Sequence, residues 1–418
     1  MADSLKQKGT EWNLEMRKKA NSQYFSANRK VALLEHSEPG SFGPGDFANV
    51  FRRVSEGQVK AAYLRVLANL ITENKGQPLA DTVSKDDLRE GLRNLVADKS
   101  EPALVVVNNM LLEDPEEKIT GLLFDYCGVL GFLLSSFERP SPQSLLLAMS
   151  IIEKKKFASL EEPTIQFLEK IEACFPKYSQ QMIEQVFPIA SFLICLLPTR
   201  DVFEQLPNIY SAGLKYFSNI RGHLENQDLC VACLRLLASY LFCFDGRPDT
   251  VTLFTENVAL DSVVLMLQHK LYLVRQHALW LVANFLTETK ALLDIREFRA
   301  TLPKLISALF DIGTQDLAFN RKEALTSLYY LFELAPGPDV EEFAPALAQF
   351  FIVVLRDGST EVVKTALHTL KSAAKGSDHT LQVMKDSAEL CEILNEMQYS
   401  KITAVADLAT EIVKFFFD

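Results

Sequence analysis

The side chains in this 418-residue chain that could do chemistry are few and scattered. Cys230-Val-Ala-Cys233 is a Cys-x-x-Cys pair, the spacing that ligates zinc or cycles as a redox disulfide. Zinc would want a second pair or nearby histidines, and redox cycling a βαβ setting; the flanking residues offer neither, so the pair reads as two core thiols. The six histidines, at 36, 223, 269, 277, 368 and 379, form no HExxH motif and keep no constant neighbour that a nucleophile could use. Gly40-Ser-Phe-Gly-Pro-Gly45 has the glycines of a phosphate cradle but carries Pro44 and no lysine. Glu113, Asp114, Glu116 and Glu117 crowd around Pro115 ahead of a helical pattern, where carboxylates usually meet a helix N-terminus or solvent. The expectation is a non-enzyme without metal site or cofactor.

Two groupings suit binding instead. Trp280 and Asn284 stand four apart in a helical pattern, so an indole and a carboxamide share one helix face. Met16-Arg17-Lys18-Lys19, with Phe25 and Arg29-Lys30 beyond it, places cations and an aromatic ring on a polar leader that has a possible amphipathic helix over 10–25.

The elements that must position these residues are helices. From residue 46 onward apolar side chains recur three and four apart, as in Val59, Ala62, Tyr63, Val66, Leu67 and Leu70, and no run alternates as a strand does. Val231-Ala-Cys-Leu-Arg-Leu-Leu-Ala-Ser239, His277-Ala-Leu-Trp-Leu-Val-Ala-Asn-Phe285, Glu323-Ala-Leu-Thr-Ser-Leu-Tyr-Tyr-Leu331 and Thr365-Ala-Leu-His-Thr-Leu-Lys-Ser-Ala373 align on Ala232, Ala278, Ala324 and Ala366, spaced 46, 46 and 42 residues apart. A small side chain at one fixed point is what close helix packing demands, and this period lies in the armadillo and HEAT range. The first 230 residues align less cleanly. The predicted fold is an all-α, armadillo/HEAT-like right-handed superhelical solenoid. A basic arm over 1–35 and a Gly/Pro linker over 36–45 precede a repeat domain over 46–418.

Charge narrows the partners. The net formal charge is −11, yet residues 1–35 carry seven Lys or Arg against four Asp or Glu, so a +3 arm precedes a −14 body. An acidic body argues against direct nucleic-acid binding and suits a basic partner. The seven cysteines sit in apolar runs without framework spacing and read as reduced thiols of an intracellular protein. The greasiest stretches, 121–134 and 189–197, fall short of the ~20 residues that span a bilayer, so no membrane segment is expected.

At Trp280-Leu-Val-Ala-Asn284 the sequence resembles an armadillo repeat of the importin alpha family, whose third helix carries Trp and Asn four apart. The resemblance implies that Asn284 bonds the backbone of an extended peptide in a concave groove while Trp280 forms a slot for a lysine stem, which cation–π attraction favours. The registered positions are Leu234 and Ala238, Thr326 and Tyr330, His368 and Ser372; earlier in the chain Arg65 and Asn69 keep only the Asn. Trp280, Asn284, Arg65, Asn69 and His368 are therefore the expected groove residues. The arm is similar to the importin-beta-binding segment of the same family, which makes Met16, Arg17, Lys18, Lys19, Phe25, Arg29 and Lys30 the expected contacts with an importin-beta-type carrier. Such an arm can also fold back on its own acidic body. The resemblance implies an adaptor in nuclear protein import, shared between cytoplasm and nucleus, that carries a basic cargo peptide or protein. Only one Trp–Asn pair is intact where the family has arrays of them. The alternative is an armadillo scaffold or dedicated chaperone that no longer binds nuclear localisation signals.

Overall fold

The structure, a computed structural model, describes residues 44–73, 82–112, 118–152, 161–196, 206–243, 260–287, 296–334 and 341–417. The expected arm lies outside these residues, as do the acidic turn over 113–117 and all of the linker but Pro44 and Gly45. Among the described residues there are twenty α-helices and no strand. They fall into two compact units divided between Leu160 and Glu161.

The first unit contains α1 (Pro44–Ser55), α2 (Ala61–Glu73), α3 (Lys85–Asp98), α4 (Glu101–Leu112), α5 (Lys118–Tyr126), α6 (Val129–Glu138) and α7 (Pro142–Ile152). Helix α1 starts inside the predicted linker, because Pro44 at a first helical position lacks only an N–H that has no intrahelical acceptor anyway. Ser84 caps α3 by accepting from the Asp87 N–H at 3.1 Å, and Asp86 and Asp87 add negative charge to its first turn. Gly91 lets α3 close on α1, since a Cβ there would overlap the Phe51 ring. Helices α2, α4 and α7 pack successively as a spine, flanked by α1, α3 and α5. Helices α5 and α6 are the one described pair apolar enough for a membrane, and they bend by 82° at the break; no single described helix is long and apolar enough to cross one.

The second unit is more regular. Its spine is α9 (Gln180–Leu196), α11 (Gln227–Cys243), α13 (Tyr272–Thr287), α15 (Ala318–Leu334), α17 (Thr360–Gly376) and α20 (Thr403–Phe417), each packed on the next. Its flanking row is α8 (Glu161–Cys174), α10 (Pro207–Ser218), α12 (Leu260–Leu267), α14 (Arg296–Gln315), α16 (Ala344–Asp357) and the short pair α18 (Asp378–Asp386) and α19 (Ala388–Met397). The unit is thus a stack of helix pairs, the helical-repeat solution to burying a face that no single pair can bury alone. Ala232, Ala278, Ala324 and Ala366 are each fully buried on consecutive spine helices, as close packing requires. A central spine helix meets spine neighbours on two sides and a flanking helix on a third. Accordingly, every residue from Leu229 to Leu241 and from Gln276 to Leu286 is buried. Burying one Leu or Val side chain contributes about 1.5–3 kcal/mol, so these stretches anchor the unit.

Candidate functional site

Spine helices are joined by polar side chains as well as by apolar packing. The Asn284 Nδ2 on α13 donates to the Ala238 carbonyl on α11 at 2.9 Å, one repeat back. Ser191 Oγ on α9 donates to the Arg235 carbonyl at 3.2 Å and lies 2.7 Å from Ser239 Oγ. Thr369 Oγ1 on α17 donates to the Leu325 carbonyl at 3.0 Å, and Asn320 Nδ2 on α15 reaches the Tyr272 carbonyl at 3.2 Å. These bonds span 44 to 48 residues, one repeat each. They act as staples from side chain to neighbouring backbone.

The structure places the expected groove residues in different settings. Asn284 is 2% exposed and engaged with Ala238, and Trp280, one turn before it, is 6% exposed. The indole sits 6.3 Å from the His277 ring, and its Nε1–H finds no acceptor. The ring is packed rather than presented as a slot for a lysine stem. His368 is exposed on α17. Arg65 is exposed and Asn69 half-buried on α2, in the first unit. Met16, Arg17, Lys18, Lys19, Phe25, Arg29 and Lys30 lie outside the described residues. Cys230 and Cys233 are fully buried, and burial pushes the Cys230 thiol up to about 11 and holds that of Cys233 well above its ordinary value. Among the described residues no three His, Cys, Asp or Glu side chains stand close enough to hold a metal ion.

The register that buries Trp280 opens toward the C-terminus. Leu234 is fully buried, Trp280 nearly so, Thr326 half-buried and His368 exposed. In the Asn284 register, Tyr330 is half-buried, and Tyr329 packs edge-on against it with ring centroids 5.6 Å apart. Polar side chains also meet across these helices. Lys322 pairs with Glu361 at 3.9 Å, Lys371 pairs with Glu411, and Ser372 Oγ donates to Glu333 at 2.7 Å. Glu361 and Glu411 are held below the ordinary carboxylate range chiefly by hydrogen bonds from Lys364 and Lys371. Helices α15 and α17 thus present a half-buried tyrosine pair, whose hydroxyls burial pushes up, and an exposed His368. Sequence reasoning named Tyr330 only as the register partner of Asn284 and did not single out Tyr329. The signal was an aromatic residue standing where the aligned repeat has Asn284.

Two buried titratable groups sit in the closed part of the spine. His277, 1% exposed, has no partner for Nε2; burial, aided by the nearby Arg235 cation, holds its pKa well below the usual value and keeps it neutral. Glu323, in register with His277 one repeat later, is 1% exposed with both carboxylate oxygens unpartnered. Burial raises its pKa to about 8, against a lowering by Lys322, so it is largely protonated at neutral pH.

No family model matches the sequence, and no curated protein matches it either. Solved structures do match. An engineered protein superposes with a TM-score of 0.59 at 13% identity, over 90% of this chain and 97% of its own. A chain from work on a conserved phosphorylation switch controlling the interaction between cadherin and beta-catenin superposes with a TM-score of 0.54 at 13% identity, over 91% of this chain and 67% of that one. At such identity the likeness establishes the fold alone, an all-α helical-repeat solenoid.

Proposed function

We propose that the protein is a non-catalytic, armadillo-like interaction scaffold, and that a protein partner contacts the face of α15, α17 and α20 around Tyr329, Tyr330 and His368. The observation that carries this reading is the bond from Asn284 to the Ala238 carbonyl. A carboxamide engaged with its own fold, beside an indole that is packed away, favours a spine that no longer uses this pair to hold extended basic peptides. The half-buried aromatic pair lies two helices on, and tyrosine is among the residue types enriched in protein contacts. The face's cross-helix pairs of both signs, Lys322 with Glu361 and Lys371 with Glu411, suit a partner surface of mixed sign. The test is an affinity measurement on a partner recovered by cross-linking to the intact protein. Tyr329→Ala with Tyr330→Ala should weaken binding about tenfold, a loss typical of interface anchors, while His368→Ala adds a smaller loss. Binding that instead follows Trp280→Ala at unchanged stability would return the peptide-groove reading.

The second reading, an adaptor in nuclear import moving between cytoplasm and nucleus, draws its support from the arm, where Met16-Arg17-Lys18-Lys19, Phe25 and Arg29-Lys30 resemble a carrier-binding helix. On this reading the arm engages an importin-beta-type carrier and a basic cargo rides on the repeats. A pull-down with importin beta decides it: capture should be lost when Arg17, Lys18 and Arg29 are replaced together by Ala, and capture indifferent to that change counts against it.

A further inference from the structure

The corner between α1 and α2 in the first unit gathers two exposed cations, Arg53 and Lys60, that form no ion pair with another described residue. Arg53, in the last turn of α1, donates from Nη1 to the Tyr63 hydroxyl at 2.9 Å, and its guanidinium carbon lies 5.5 Å from the centre of the Tyr63 ring. Lys60 Nζ stands 5.8 Å from the centre of the same ring. Two cations thus converge on one phenol. Lys60 also immediately precedes the N-terminus of α2, whose first turn carries no acidic residue, so the helix dipole adds to the positive field there. Arg53 and Lys60 have no carboxylate within ion-pair distance among the described residues. Neighbouring Arg52 differs, for it feels the Asp87 carboxylate, which is held low chiefly by hydrogen bonds from Ser84 and Ser55. Two acids lie near the corner among the described residues: Glu56, exposed in the intervening turn, and Asp87, which accepts from Ser55 Oγ at 3.0 Å.

The corner is fixed before any ligand arrives. Gly57 at φ +85° makes the reversal after α1, the Gln58 N–H donates to the Arg53 carbonyl at 2.9 Å, and Asn94 Nδ2 donates to the Val54 and Ser55 carbonyls at 2.9 and 3.1 Å. Some exposed lysines elsewhere in this acidic chain meet carboxylates across repeats, as Lys270 meets Glu225 at 3.0 Å and Lys304 meets Asp261 at 2.8 Å, whereas Lys60 shares a tyrosine ring with Arg53. Two cations set on one tyrosine ring by a fixed backbone corner, without an ion pair among the described residues, offer a carboxylate a partly preorganised partner.

We propose that Arg53, Lys60 and Tyr63 form a docking site for an acidic segment of a partner protein, its carboxylates meeting the guanidinium and ammonium groups and its chain lying along the Tyr63 ring. This site is separate from the face of α15, α17 and α20 and stands or falls without it. The test uses the full-length protein and a fluorescein-labelled Glu-rich peptide, with binding read by fluorescence anisotropy at low and physiological salt. Arg53→Glu with Lys60→Glu should weaken binding about tenfold, the scale of a lost charge-pair anchor. A control reversing the same amount of charge, Lys215→Glu with Lys401→Glu, should change it less than about twofold, as diffuse charge far from a contact does. Arg53→Gln with Lys60→Gln gives the same ranking with a smaller loss and serves if the reversed pair fails to fold. Equal losses in site and control variants, absence of peptide binding to the wild type, or tighter binding of an oligothymidylate of equal charge would each overturn the proposal.

Discussion

Asn284 and Glu323 show what single residues do inside the spine. Replacing Asn284 by Ala removes the bond to Ala238 and leaves a buried carbonyl without that donor. The loss should be about 1–2 kcal/mol, seen as a lower urea midpoint at unchanged slope. Glu323 acts in the opposite sense, because the fold holds its proton. Its pKa rises from an ordinary 4.5 to about 8 on burial. Between those values the unfolded chain releases the proton while the folded chain keeps it, so Glu323 takes away stability as pH rises through the window. Glu323→Gln should therefore raise the melting temperature at pH near 8 and change it little near 4.5. Equal effects at both ends would show that the carboxyl is not buried in the native state. His277 works from the other side: kept neutral by burial, it withdraws stability as pH falls below its ordinary 6.5, where the unfolded chain takes up a proton first.

Between helices the strongest polar junction is the pair of Arg275 on α13 and Asp316 in the turn before α15. The guanidinium meets both carboxylate oxygens, at 2.6 and 2.9 Å, and the Asp316 side chain is 4% exposed. Burial alone would push Asp316 up, but donors from Arg275, Asn320 and the Leu317 N–H outweigh it and hold the carboxyl below its ordinary 3.8. Its contribution is present above that pH and is lost as pH falls through the folded value. Asp316→Ala should cost about 2–4 kcal/mol, since it strands a largely buried guanidinium, and thermal unfolding followed by circular dichroism measures it. Little of this junction was legible in the sequence, because an Asp and an Arg 41 residues apart meet only once the repeats stack. The helices themselves were legible. The recurring Ala at 232, 278, 324 and 366 reports a packing constraint that acts within each repeat and so leaves a periodic mark. Trp280 and Asn284 mark the boundary between the two cases: their shared helix face could be read from spacing, but their burial depends on α11 and α15, which spacing does not describe. Tyr330 could be read only as the register partner of Asn284 and not singled out as a contact, for the same reason: its exposure depends on neighbours that spacing does not place.

At the scale of the molecule, the division between Leu160 and Glu161 lies in a charged stretch, Glu153-Lys-Lys-Lys156 to Glu161-Glu162, but the apolar helices on both sides are alike, so the sequence reads as one repeat domain. Units that each hold their own core should fold alone. Residues 161–418, produced as a fragment, are expected to show a helical circular dichroism spectrum and a cooperative urea transition; a fragment without a cooperative transition would mean that this unit needs the other to fold. The staples also set how this unit answers to force. From α9 to α17 every junction between consecutive spine helices carries at least one bond from a side chain to the neighbouring backbone, through Ser191, Asn284, Asn320 and Thr369. Tension applied along the spine loads these junctions in series, so the weakest parts first while the others keep their length. Pulled from its ends, the stack behaves as a set of links that yield singly, and a partner gripping two repeats would stiffen only the link between them.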